Sequence, residues 1–199
     1  MRRLAQPTRL GFIGLLRYPP NLEGIHWFLQ KVWPIIKRHE PAVRLRLVGA
    51  GADATLAGSS ADVDVLGWVS DPSVEIATWS AMIVPIRVGG GTRIKIAEGF
   101  GRGCPVVTTS LGAFGYEDVR SGEDIVLADS PEAFAQACVA LIRDQSLGER
   151  LAANAWEKFC CKWTWDAMAP RVAAAVEQCL RNAGSTSMRT ATPAAAIPK

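Results

Sequence analysis

The sequence predicts an α/β fold, a parallel sheet with helices on both faces. Two patterns carry the prediction. Short apolar runs at 10–14, 44–48, 63–66, 81–85 and 105–108 alternate with stretches of helical period, and strands buried on both faces read as such continuous runs. Glycines stand at the ends of several of these runs, at Gly14, Gly49, Gly51, Gly67 and Gly89 to Gly91. In an open parallel sheet the loops after the strands share one edge, where ligands bind. A length of 199 residues suits a single domain of this kind.

Taken in order, 10–14 is the first strand. A helix is expected over 22–38, where Ile25, Phe28, Leu29, Val32, Trp33 and Ile36 recur at helical spacing and Asn21 is a suitable N-cap. Strands follow at 44–48, 63–66 and 81–85. The next helix is expected over 92–102, with strands at 105–108 and 125–128. Ser130-Pro131-Glu132 then supplies a cap, a first-turn proline and a first-turn acid for a helix over 131–143. Two more helices are expected at 147–161 and 166–181. The domain is read as 1–182. The segment 183–199 is small, polar and proline-interrupted and is expected to be a disordered tail.

Composition excludes several classes. Net charge is +3 with the signs mixed, too mild for a nucleic-acid or acidic-membrane binder. The five cysteines, Cys104, Cys138, Cys160, Cys161 and Cys179, form no CxxC pair and have no histidine cluster beside them. They read as thiols in a reducing compartment. Met1-Arg2-Arg3 and the apolar run 10–16 imitate a signal peptide, but the cleavage region would be Arg17-Tyr18-Pro19-Pro20, without small residues. No run approaches the ~20 apolar residues of a spanning helix. A cytoplasmic location is expected, with work at the inner membrane face, through a substrate held there, as the alternative.

The segment Val88-Gly89-Gly90-Gly91-Thr92-Arg93-Ile94-Lys95-Ile96-Ala97-Glu98 carries the chemistry. Two cations at a helix start oppose the positive end of its dipole by about 0.3–1 kcal/mol each. An anion between them and the backbone amides reverses that effect, and glycine lets a backbone approach a phosphate closely. Glu98 lies further along the same helix, and an ionised carboxylate can accept both hydroxyls of a ribose. Phosphate cradle and diol acceptor together indicate a nucleoside-diphosphate ligand. The plain alternative is a solvated helix face with a weak Lys95–Glu98 pair.

These residues resemble the C-terminal, donor-binding half of GT-B glycosyltransferases, specifically the group 1 (family 4-like) enzymes. The matching pieces occur in the family's order: Phe12-Ile13-Gly14, Pro20-Asn21, Trp27-Phe28, Leu47-Val48-Gly49-Ala50-Gly51, Val65-Leu66-Gly67-Trp68-Val69, Val84-Pro85, Gly89 to Glu98, and Gly103-Cys104-Pro105-Val106-Val107. The likeness runs from about 10 to 180, and Trp163-Thr164-Trp165 is similar to the aromatic segment before the family's last helix. It implies a Rossmann-like half-domain that binds a nucleotide sugar, a UDP- or GDP-sugar, for glycosyl transfer in polysaccharide biosynthesis. No metal is expected. By the resemblance, Glu98 holds the ribose, Gly67, Trp68 and Val69 meet the base, and Gly14, Gly91 and Thr92 lie near the phosphates. The sugar-contacting glutamate of the family motif falls at Gly90 and is missing. Leu15 stands where an arginine is common, and Asn21 lies near the usual lysine. Arg93 and Lys95 are therefore expected to supply the diphosphate charge, with Arg17 a weaker candidate.

The acceptor and part of the catalytic groups belong, by the resemblance, to an N-terminal half in a longer parent chain or a separate subunit. No complete catalytic constellation is found here, and this chain alone is not expected to be active. A non-catalytic nucleotide-sugar-binding or interaction module is one alternative, and another GT-B-like enzyme such as a sugar-nucleotide epimerase is a second. Two motifs are read as decoys. Gly49-Ala50-Gly51-Ala52-Asp53-Ala54 has the letters of a dinucleotide fingerprint but lacks room for the crossover helix that follows one. Asp62-Val63-Asp64 spells a D-x-D metal motif but leads into a strand, so its acids are read as facing solvent.

Overall fold

In the computed structural model, residues 3–51, 56, 60–91 and 93–187 are described. Their strands are β1 (Arg9–Ile13), β2 (Arg44–Val48), β3 (Val63–Gly67), β4 (Ala81–Val84), β5 (Val106–Thr108) and β6 (Val126–Leu127). They form one parallel sheet in the order β3-β2-β1-β4-β5-β6. This is the doubly wound Rossmann order. The chain reverses its direction of travel across the sheet between β1 and β4, and the crevice outside the carboxyl ends of those two strands is where such sheets bind ligands.

The register assigns the two faces. Leu10 pairs with Leu45 and Ala81, and Phe12 with Leu47. These residues lie in the core together with Phe28, Ile36 and Phe134. That face is covered by α1 (Pro19–Trp27), a π-helical turn (Phe28–Val32) and α2 (Trp33–His39), which form one continuous helical segment, and by α5 (Pro131–Arg143). Trp27 and Phe28 meet Phe134 edge-on, with ring centroids 5.7 and 5.8 Å apart. The π-helical turn has a local cause in Pro34, which has no N–H and whose ring crowds the carbonyl four residues back. On the other face Gly99 of α4 (Ile94–Gly101) packs against Val106 and Met82. Nearer β3 this face is polar. Arg46 joins Asp64 at 3.0 Å and Glu75 of α3 (Ser73–Ile76) at 2.7 Å, and Arg44 holds Asp64.

The elements fall where the alternation puts them, with informative differences. Asn21 does not cap α1. Tyr18 holds that position, prolines occupy the first turn, and Asn21 is buried one turn inside. Proline's preset φ begins the helix earlier than the apolar period shows. The Ser130 cap is present, its hydroxyl accepting from Ala133 N at 3.1 Å. Asp62 and Asp64 do not stand free in solvent: Asp62 pairs with Lys37 at 2.9 Å, and Asp64 is gripped by two arginines. Of the dinucleotide-like run, Ala52, Asp53 and Ala54 lie outside the described residues.

The chain divides into two compact units, Met1–Phe159 and Cys160–Lys199. α6 (Gln145–Lys162) reaches the second unit, which also contains α7 (Trp165–Ser187). α7 places Trp165, Met168, Val172, Val176 and Leu180 at helical spacing. It extends past residue 182, so 183–187 of the expected tail are helical, while 188–199 lie outside the described residues. No helix among the described residues is long and apolar enough to cross a membrane.

Candidate functional site

Arg93 builds the glycine loop. It is buried, and its guanidinium donates to the carbonyls of Gly89 at 2.8 Å, Gly90 at 3.1 Å and Leu111 at 3.4 Å. Gly89 and Gly91 take φ of +91° and +90°, a region that L side chains rarely enter. The loop thus curls back so that its carbonyls meet the arginine at the head of α4. Tyr116 fixes that head from the other side, donating to Arg93 O at 2.9 Å and accepting from Ala97 N at 3.2 Å. Burial pushes the Tyr116 hydroxyl up from its ordinary range, which keeps it a donor.

Lys95 is built differently. No carboxylate among the described residues lies within ion-pair distance of it, and its Nζ stands 5.5 Å from the centre of the Phe12 ring. Burial, then the charge of Arg93, lowers its pKa below the ordinary lysine value. A Cβ at Gly14 would come within 2.7 Å of Lys95 Cε and 3.1 Å of Asn21 Nδ2. Only a bare backbone lets these two side chains converge beyond the end of β1. Lys95 is the wall between two hollows. One, of about 170 Å³, lies at the β1–β4 switch between Tyr18, Pro20 and Asn21 on one side and Gly90, Gly91 and Arg93 on the other. The second, of about 270 Å³, is lined by Ile13, Gly14, Ile94, Lys95 and Glu98. A cation without a counter-charge among the described residues, between two hollows beside a glycine loop, is suited to a bridging anion.

Glu98 pairs with Arg102 at 2.7 Å, one helical turn on, rather than with Lys95. The Arg102 guanidinium also donates to Ser73 Oγ and lies 3.9 Å from Asp71. These groups tie α4 to the loop after β3, which carries Gly67, Trp68 and Val69. Gly67 closes β3, its carbonyl accepting from Gly49 N at 2.7 Å, and the Trp68 ring beyond it is 74% exposed. Arg17 is exposed, its stem 2.9 Å from where a Cβ on Gly51 would sit. Thr92 lies outside the described residues.

The structure therefore brings Gly14, Gly91, Arg93, Lys95 and Glu98 to adjoining hollows. Gly67, Trp68, Val69 and Arg17 lie on the same sheet edge, outside the lining of those two hollows. Sequence reading missed Asn21, Tyr18 and Tyr116. The cap-like place of Asn21 masked it, while nothing local distinguishes Tyr116 from a core aromatic.

Comparison with known proteins places the chain in a family and agrees with the fold. The sequence model of the family described as Glycosyl transferases group 1 matches residues 7–144. A curated relative, described as an uncharacterized 44.6 kDa protein in the cps region of Klebsiella pneumoniae, is 27% identical over 155 residues, covering 73% of this chain and 40% of that protein. Anabaena Alr3699/HepE, solved in complex with UDP and glucose, aligns with a TM-score of 0.69 at 17% identity, over 85% of this chain and 48% of its own. The C-terminal domain of a glycosyl transferase group 1 family protein (LpcC) from Francisella tularensis aligns with a TM-score of 0.63 at 18% identity, over 81% and 88%. The chain thus spans two fifths of the Klebsiella relative and about half of HepE, but corresponds to nearly all of the isolated LpcC domain.

Proposed function

The chain belongs to the group 1 glycosyltransferases, and on that premise we propose that it is the half that binds a nucleoside-diphosphate sugar, UDP- or GDP-linked, for transfer to an acceptor held by a second, N-terminal half. The observation that carries this is Lys95, half-buried at the β1–β4 switch between the glycine loop and Gly14 with no described counter-charge. In this reading the diphosphate bridges Lys95 and the backbone amides of the loop, with Arg93 holding the loop and adding its field. The nucleoside lies over the hollow that Glu98 lines. Glu98 accepts the ribose hydroxyls with the oxygen Arg102 leaves open, and the base meets the Gly67-Trp68-Val69 turn. The cationic side chains take the place a divalent metal would fill, so binding is expected to persist in EDTA.

The second half is supported by the same edge. Leu15, Tyr18, Trp68, Val88, Ile94 and Phe114 are large apolar residues, all exposed, and all follow strand ends or open α4. An apolar rim around a polar cleft marks a surface that closes against a partner. The two hollows offer one described carboxylate, Glu98, already held by Arg102, so transfer is assigned to the assembled protein. A cytoplasmic site of action, at the inner membrane face for a membrane-borne acceptor, fits the nucleotide-sugar donor and five cysteines of which none forms a disulfide.

The test is a thermal-shift titration of the chain with UDP, GDP, ADP and NAD. A ligand at 100 times its dissociation constant stabilises the native state by about 2.7 kcal/mol. A selective rise with UDP or GDP that Lys95→Ala removes is the expected result. No response to any of the four removes the reading.

A further inference from the structure

The smaller hollow contains a group that phosphate binding leaves unused. Asn21 is 3% exposed, and its Nδ2 donates to the Leu15 carbonyl at 2.7 Å. That bond fixes the amide's orientation, because a carbonyl can only accept. Oδ1 is consequently turned away from Leu15, buried, and without a hydrogen-bond partner among the described residues. A buried acceptor left unmet is destabilising. Asn21 lines the hollow, so a small turn of its side chain toward that space presents Oδ1 to a donor seated there. A phosphate oxygen is itself an acceptor and cannot meet it. Gly90, on the opposite wall, brings no side chain.

We propose that Asn21 is a specificity-determining residue for the transferred sugar, its buried Oδ1 accepting a hydrogen bond from a hydroxyl of a pyranose ring seated in the 170 Å³ hollow between α1 and the glycine loop. The proposal rests on the donor-site reading above. It separates two duties within one cleft edge: Lys95 faces the diphosphate, and Asn21 faces the ring beyond it. A site with a fixed, desolvated acceptor favours a donor sugar with a hydroxyl at the matching position and rejects the deoxy analogue, which leaves that acceptor unpaired.

The experiment compares each nucleotide with its sugar conjugate by calorimetric titration of the whole chain, using UDP against UDP-glucose and UDP-galactose, and GDP against GDP-mannose. Asn21→Ala removes both the acceptor and the bond to Leu15, whereas Asn21→Asp removes the bond and keeps an acceptor. For the conjugate that wild type binds, the affinity ratio of conjugate to bare nucleotide should fall about tenfold in Asn21→Ala and stay within about threefold of wild type in Asn21→Asp. One single-deoxy sugar analogue should also lose about tenfold on wild type, which tests the idea even where a variant fails to fold. An unchanged ratio in Asn21→Ala, or a wild-type protein indifferent to every deoxy position, overturns the role of Asn21 alone. Failure of wild type to bind any of these nucleotides removes the donor-site reading and this proposal with it.

Discussion

Lys95 and Arg93 stand two positions apart at the head of one helix, yet the protein uses them in opposite ways. Arg93 makes three hydrogen bonds to carbonyls of the loops it braces, and bonds to a charged group are worth about 1.5–3 kcal/mol each. Arg93→Ala should lower the ligand-free melting temperature clearly, by the equivalent of about 2–3 kcal/mol once the relief of burying a charge is set against the lost bonds. Lys95→Ala should leave that temperature unchanged or higher, because a desolvated cation without a described partner is lost, and should weaken UDP or GDP binding by about 1.5–3 kcal/mol. Equal melting temperatures for the two variants would contradict the division of labour.

The lowered pKa of Lys95 adds a pH signature. In the folded state it gives up its proton below the ordinary lysine range, so on the alkaline side the unfolded chain binds more protons and ligand-free stability gains as pH rises through that window. A bound diphosphate favours the charged form, so nucleotide affinity should decline over the same window, and Lys95→Arg should flatten the decline. Calorimetric affinity measured against pH checks the sign.

At the scale of elements, the polar face of the sheet near β3 is held by charge. Arg44 and Arg46 point from β2 to Asp64 on β3, and Arg46 continues to Glu75 on α3, which also accepts from Trp79 Nε1 at 3.0 Å. The hydrogen bonds from Arg44, opposed by burial and aided by Arg46, hold the Asp64 carboxyl at about 2, against an ordinary 3.8. Burial works against Glu75 as well, but Arg46 and Trp79 keep it below its usual value. A depressed carboxyl contributes stability above its unfolded pKa and loses it as pH falls through the folded one. Asp64→Asn should therefore be less stable than wild type at neutral pH, by about 1 kcal/mol after solvent screening. The gap should close between about pH 4 and 2. Urea melts across that range decide it, and a constant gap would mean that the pairing contributes nothing titratable.

The whole molecule was largely legible as a sequence because its strands are buried on both faces and its helices are amphipathic. Continuous runs such as 81–84 and the period through 25–36 have few other foldings, and the glycines that follow the strands mark the ligand edge. What the sequence hid depends on contacts far apart in the chain. Asn21 faces the Leu15 carbonyl only because prolines start α1 early. Tyr116 reaches back to Arg93 across the end of β5, and Glu98 meets Arg102 rather than Lys95 because Arg102 is drawn to Ser73. Periodicity and spacing do not encode partners of that kind.

The same scale sets the last prediction. In the proposed reading, nucleotide recognition uses the switch-point hollows, which lie within 13–98, whereas the apolar rim extends to Phe114, 73% exposed and absent from the lining of either hollow. The chain by itself should therefore bind a nucleoside diphosphate and transfer no sugar. Phe114→Ser should leave the UDP or GDP thermal shift intact while weakening association with a separately expressed N-terminal half of a group 1 transferase parent. Burying an aromatic of this size is worth about 1.5–3 kcal/mol, so the dissociation constant should rise at least about tenfold on size-exclusion or calorimetric titration. Glycosyl transfer by the unaccompanied chain, or undiminished association of Phe114→Ser, would instead make the rim ordinary exposed surface and the domain self-sufficient.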